Sequence, residues 1–136
     1  MIKTTTLLAI ALYLPMSVQA QEERAEAFRT SFAETQQRLS LTEDQRSQVE
    51  PIVRAQFDAT QAVMKKYGFT PGAQGGSGAS MRELRAMSKE LKPIRKQADK
   101  ELAAVLSRDQ MKEYKDIQEE RQAKMREEIK QRRNSR

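Results

Sequence analysis

The sequence contains no cysteine, no histidine and no tryptophan in 136 residues. Without thiols and imidazoles the chain cannot form disulfides, Cys/His zinc sites or catalytic centres that need a thiol nucleophile or a histidine base. Large apolar residues are scarce too, since Leu, Ile, Val and Phe number 18 in residues 21–136, below the roughly 20% expected of a chain with a core of its own. The composition therefore predicts neither an enzyme nor a multi-span membrane protein, with no cofactor and no metal.

The first 20 residues have the pattern of an export signal. Lys3 supplies the positive start, residues 7–14 are an apolar run, and small residues occupy the two positions that signal peptidase reads within 17–20. An apolar run of this length is far shorter than the ~20 residues of a membrane span. We therefore predict a cleaved signal peptide at 1–20, a single domain at 21–136 and a periplasmic location. Export removes nucleic acid as a partner, despite a net charge of +6.

The rest of the chain has helical periodicity. Apolar residues recur at steps of three and four from Phe28 onward, and no segment alternates with period two. All five glycines lie in the range 68–79, which we predict to be a hinge between two halves. Short breaks at 39–41 and 105–107 divide each half into two helices. The sequence thus predicts an all-α protein with four helices in two helical hairpins.

Two prolines fall within the predicted second and third helices. Pro51 and Pro93 each remove one backbone hydrogen bond and press on the preceding turn, so each would kink or end its helix. We favour kinks because the apolar stripe continues in register across both prolines. Two bent hairpins would make a thin layer that cannot cover both of its faces, which predicts a homodimer.

Two similar five-residue motifs open helices 65 residues apart. In each, a Ser or Thr can cap the helix and a Gln three residues later can reach back to the cap's amide, which is a capping box. A third box, at Ser80 and Glu83, opens the helix after the hinge. The residues of the two motifs are Leu41, Thr42, Gln45, Leu106, Ser107 and Gln110.

These motifs, together with the export signal, the chain length and the basic charge, resemble the LTxxQ repeats of the Spy/CpxP family of small exported helical proteins. The resemblance implies a cradle-shaped antiparallel homodimer of four-helix protomers. It also implies an ATP-independent chaperone for unfolded or misfolded envelope proteins, or alternatively an adaptor that restrains an envelope-stress sensor kinase. A metal-responsive envelope protein is a third alternative, against which the lack of histidine argues.

Residues 81–100 carry seven basic and three acidic side chains. Most of the basic ones fall on one helix face, opposite the apolar stripe. This ridge is either a solvated outer face or a basic surface that attracts clients and contacts them through Lys stems and Met side chains. The candidate client-binding residues are Arg82, Arg85, Met87, Lys89, Lys92, Lys96 and Lys100.

The remaining charged and sulfur-containing residues favour structural roles. The methionines lie at core-like positions, which favours packing over a Cu(I) site. The basic tail at 124–136 is predicted to be a frayed, solvated helix end, with peripheral contact to anionic lipid headgroups as the alternative. Three i,i+4 ion pairs are predicted: Glu50 with Arg54, Glu120 with Lys124 and Glu128 with Arg132.

Overall fold

The computed structural model describes residues 16–69 and 78–135, and this part of the chain is all-helical. The helices are α1 (Met16–Leu39), α2 (Glu43–Lys66), α3 (Met81–Ala103) and α4 (Arg108–Asn134). The predicted all-α class with four helices is thus confirmed. Residues 1–15 of the predicted signal peptide and 70–77 of the predicted hinge lie outside the described residues. The predicted cleavage point after Ala20 falls inside α1.

The three predicted capping boxes are all present. Thr42, Ser80 and Ser107 each accept a hydrogen bond from the backbone N–H of the third helical residue. The side chain of that residue in turn accepts from the cap's own N–H in every case. Each cap stabilises its helix by about 1 kcal/mol relative to alanine. The helix starts are therefore specified by local sequence.

The end of α1 is built without glycine. Leu41 N–H donates to Gln36 O at 3.3 Å and Ser40 N–H donates to Gln37 O at 3.2 Å, which is a Schellman motif. This motif places Ser40 at a φ of 49°, in the left-handed region. The end of α2 uses the same hydrogen-bond pattern with Gly68, which has no Cβ to strain, at a φ of 79°.

The two motif turns meet at one end of the molecule. Gln45 Nε2 donates to Gln110 Oε1 at 2.8 Å, and Gln110 Nε2 donates to Gln45 Oε1 at 3.0 Å. Each amide also reaches a backbone carbonyl of the opposite turn: Gln45 donates to Val105 O and Gln110 to Leu39 O. The motif glutamines therefore cap their own helices and also join the two hairpins.

A core lies behind this junction, which we call the turn-end core. Thr35 is fully buried within it, and its hydroxyl donates to Ser31 O while accepting from Arg121. The buried apolar residues of the turn-end core are Phe28, Phe32, Leu39, Val49, Val53, Leu102, Leu106, Tyr114 and Ile117. All four helices contribute, and each helix has two neighbours in the ring α1–α2–α3–α4. The described part of the chain is thus a bundle at this end, not the single layer expected from the sequence.

A second and smaller core lies where α2 ends and α3 begins. Its buried members are Phe69, Met87 and Leu91. Glu90 on α3 ties the two helices together by accepting from Lys66 Nζ at 2.7 Å and from Tyr67 Oη at 2.6 Å. The apolar stripe of α3 therefore packs mainly against α2, which leaves its flank toward α4 less covered.

Both prolines lie inside continuous helices. α2 runs through Pro51 and α3 runs through Pro93. Neither proline therefore ends its helix, while the kinks stay a prediction.

Charged groups join α1 to α4. Arg38 pairs with Glu113 and Glu120, each at 2.7 Å. These carboxylates raise the pKa of Arg38, and the Arg38 guanidinium lowers the pKa of Glu120. The predicted pair of Glu50 with Arg54 is confirmed at 3.2 Å. The predicted partner of Glu120 was wrong, because Arg38 on the neighbouring helix offers it two parallel N–H donors. The predicted pair of Glu128 with Arg132 does not form in the described residues, where both side chains lie toward the C-terminal end of α4.

Candidate functional site

A groove of about 730 Å³ runs between α3 and the C-terminal half of α4. We call it the α3–α4 groove. Its neutral polar lining consists of Ser88, Gln122 and Asn134, and no aspartate or glutamate among the described residues lines it. Its apolar lining, which we call the floor, consists of Met81, Leu84, Met87, Leu91, Met125 and Ile129. Its charged lining, which we call the rims, consists of five cations, Arg85, Arg95, Arg126, Lys130 and Arg133.

One contact and one charge repulsion mark the two ends of the groove. At one end Arg133 Nη1 contacts Met81 Sδ at 3.0 Å. At the other end Arg95 lies close enough to Arg126 for their charges to repel. With a helical rise of 1.5 Å per residue, the stretch of α3 from Met81 to Arg95 is about 21 Å long. The groove is thus long enough for about four turns of a third helix.

The floor is deepest in its middle and exposed at one end. Leu91 is 2% exposed and Met87 is 4% exposed, whereas Met81 is 49% exposed. Methionine adapts its shape to irregular apolar surfaces, because its side chain is unbranched and its sulfur is polarisable. Three of the six floor residues are methionines, so the floor can fit apolar groups of different shapes.

The rim cations make no ion pair with an acidic residue of the described ranges. Arg85, Arg95 and Lys130 make no ion pair or hydrogen bond within the described ranges, and Arg126 Nε donates only to Gln122 O at 3.4 Å. Burial lowers the pKa of Arg95, and repulsion from Arg126 adds to this, while Asp99 opposes it. A carboxylate or another anion in the groove would relieve that repulsion. The groove therefore combines apolar contact with unfilled capacity for negative charge.

The groove contains only two of the predicted client-binding residues. Arg85 lies on its rim, and Met87 lies in its floor as part of the second core. The structure leaves the other five exposed, and none of them lines the groove. These five are Arg82, Lys89, Lys92, Lys96 and Lys100.

Sequence reasoning missed the α4 side of the groove and Arg95. The sparse apolar residues of the tail predict a frayed helix end, but α4 continues to Asn134. A usable signal was present, since Met125 and Ile129 are four residues apart and the basic residues 126, 130 and 133 follow at i, i+4 and i+7.

The six motif residues lie away from the groove, at the junction of the hairpins. Leu106 is buried in the turn-end core and Leu41 packs against it. Thr42 and Ser107 are helix caps. The motif thus has a structural role in the described conformation.

Neither a cluster of metal ligands nor a membrane span is present in the described residues. No three or more acidic side chains there are grouped so that they could hold a metal ion. None of the four helices has a stretch that is both long and apolar enough to cross a membrane.

Comparison with known proteins identifies a family. The sequence model of a domain of unknown function, DUF4890, matches residues 15–114, so the chain belongs to that family. The match includes the α3 side of the groove and ends before its α4 side. No curated protein and no solved structure is significantly similar to the chain.

Proposed function

We propose that this DUF4890-family protein is an ATP-independent periplasmic chaperone that holds unfolded or misfolded envelope proteins in the α3–α4 groove. The observation that carries the proposal is an apolar floor, exposed at its Met81 end, between rims whose cations make no ion pair in the described residues. An unfolded chain exposes the apolar and charged groups that such a groove can bind. The resemblance to the Spy/CpxP family and the predicted export signal support the same function and location.

The physical properties of the groove suit binding and release without ATP. Each Å² of apolar surface removed from water contributes roughly 25 cal/mol, so a shallow floor gives modest affinity. Long-range attraction by the rim cations speeds the encounter with acidic clients. Because ions screen that attraction, binding should weaken as the salt concentration rises. Fast capture with fast release lets a client resume folding unaided.

A pair of matched variants tests the proposal. The groove triple variant (R95Q/R126Q/K130Q) removes three cations from the rims. The outer triple variant (K89Q/K92Q/K96Q) removes the same charge from exposed positions of α3 outside the groove. None of the six side chains makes an ion pair in the described part of the chain, so both variants should keep the thermal stability of the parent protein.

The measurement is light scattering during aggregation of a chemically unfolded acidic protein. We expect an equimolar amount of the parent protein and of the outer triple variant to slow aggregation, and the groove triple variant to lose most of this effect. No suppression by the parent protein at low salt would overturn the chaperone proposal. Loss of activity in the outer triple variant alone would assign the client surface to the ridge of α3 instead.

A further inference from the structure

We propose that the α3–α4 groove takes a client segment that is folded as an acidic amphipathic helix. This inference rests on the proposed function and goes beyond it by naming the conformation and charge of the bound segment. Three features of the groove carry it: the chemistry of its floor, its length and the spacing of its cations.

The floor selects for a helical segment. Its walls are two helices whose backbone groups are bonded internally, and its floor offers apolar side chains. A peptide lying there in extended form would turn part of its N–H and C=O groups toward the apolar floor, which cannot pair with them, and this is costly. A helix satisfies its backbone groups internally and can lay one apolar face on the floor.

The length of the groove matches a short helix. From Met81 to Arg95 it extends for about 21 Å, which corresponds to about 14 helical residues. An apolar stripe with the i, i+3, i+4, i+7 pattern over that length presents one continuous face. Such a segment would lie between α3 and α4 as an additional helix and cover the exposed end of the floor at Met81.

The rim cations favour a client helix that has acidic residues on both sides of its apolar stripe. On α4, Arg126, Lys130 and Arg133 follow one another at i, i+4 and i+7, so they form a row along one rim. Arg85 and Arg95 stand on the opposite rim. Carboxylates at i, i+4 and i+7 of a bound helix have the same spacing as the α4 row. Arg95 is half-buried whereas the other four cations are exposed, so an ion pair at Arg95 would be screened least.

Four fluorescein-labelled 16-residue peptides test the inference by fluorescence anisotropy with the full chain. The first has a Leu stripe at helical spacing and Glu on both flanks. The second has the same composition with the stripe scrambled, the third has Lys in place of Glu, and the fourth has a central Pro. We expect the first to bind at least about tenfold more tightly than each of the others and to gain helicity by circular dichroism.

The matched variants locate the binding. Each ion pair of this kind changes affinity by roughly two- to fivefold, so the groove triple variant should bind the first peptide about tenfold or more weakly. The outer triple variant should stay within about twofold of the parent protein. Circular dichroism of each variant alone shows whether it is folded.

Each contrary result would overturn one named part of the two proposals. Equal binding of the Pro peptide overturns the helical conformation, and equal binding of the Lys peptide overturns the acidic preference. Binding of phosphatidylglycerol vesicles in place of the first peptide would assign the groove to lipid and also overturn the inference. If aggregation is slowed but the peptides show no preference, the inference alone fails. If aggregation is not slowed, the proposed chaperone function fails whatever the peptides do.

Discussion

Single residues in this chain do more than their local sequence suggests. Gln45 and Gln110 complete the capping boxes that their motifs predict, and they also hydrogen-bond to each other across the hairpins. Arg95 differs from this pair, because it is partly desolvated and its neighbour Arg126 has the same charge. The hydrogen bonds between Gln45 and Gln110 stabilise the bundle, whereas Arg95 and Arg126 leave positive charge available to a ligand.

Ser40 gives a prediction at this scale. A left-handed conformation costs a residue with a Cβ about 1–2 kcal/mol, and Ser40 adopts it at a φ of 49°. S40G removes this cost but adds the free-energy cost of ordering a more flexible glycine. The net result should be a stabilisation of the protein by about 0.5–1 kcal/mol. Urea unfolding should show a higher midpoint with an unchanged slope.

The control for this prediction is S40A, which keeps a Cβ and removes only the hydroxyl. Its stability should stay within about 0.5 kcal/mol of the parent protein. A destabilised S40G would show that the left-handed turn is not strained.

At the scale of elements, the helices are joined by polar contacts beside small cores. Glu90 links α3 to the end of α2 through Lys66 and Tyr67. Hydrogen bonds from Lys66 and then Tyr67 lower the pKa of Glu90 below its ordinary 4.5. The folded state therefore binds a proton at Glu90 less readily than the unfolded state does.

This shift predicts a direction of pH dependence. The contribution of Glu90 to stability is fully present above pH of about 4.5 and is lost as the pH falls through the lowered folded pKa. The thermal midpoint should fall between pH 5 and pH 3, and it should fall less in E90Q. Glu83 and Glu120 also have lowered pKa values, because the Ser80 N–H donates to Glu83 and Arg38 pairs with Glu120, so some acid sensitivity remains.

E119Q is the matched control, since Glu119 is exposed on α4 and makes no ion pair or hydrogen bond in the described residues. The thermal midpoint of E119Q should fall between pH 5 and pH 3 by as much as that of the parent protein. An equal fall in E90Q and E119Q would contradict a role for Glu90 in joining α2 to α3.

The sequence predicts the elements well because their signals are local. Thr42 with Gln45 and Ser107 with Gln110 lie within one helical turn, so each box follows from neighbouring residues. The groove depends instead on how α3 faces α4, which brings Met81 to Arg133 over 52 positions of the chain. A helical wheel of α3 alone places its basic residues on one face and cannot show that Arg95 faces a second row of cations.

At the scale of the whole molecule, the bundle closes at one end and opens at the other. All four helices surround the turn-end core, whereas α3 and α4 leave the basic-rimmed groove farther along. The chain therefore builds a core of its own from few large apolar residues, with Thr35 and Tyr114 filling part of the space. The homodimer stays a prediction, which sedimentation equilibrium would test.

Site-specific photo-crosslinking is the sharpest test of the proposed client binding in the groove. A photoreactive side chain at Ser88 would lie in the groove, and the same group at Lys96 would lie on exposed α3 outside it. With a chemically unfolded client, we expect strong crosslinks from position 88 and few from position 96, and a loss of the former when the acidic helical peptide is added in excess. Crosslinks mainly from position 96, unaffected by the peptide, would contradict it.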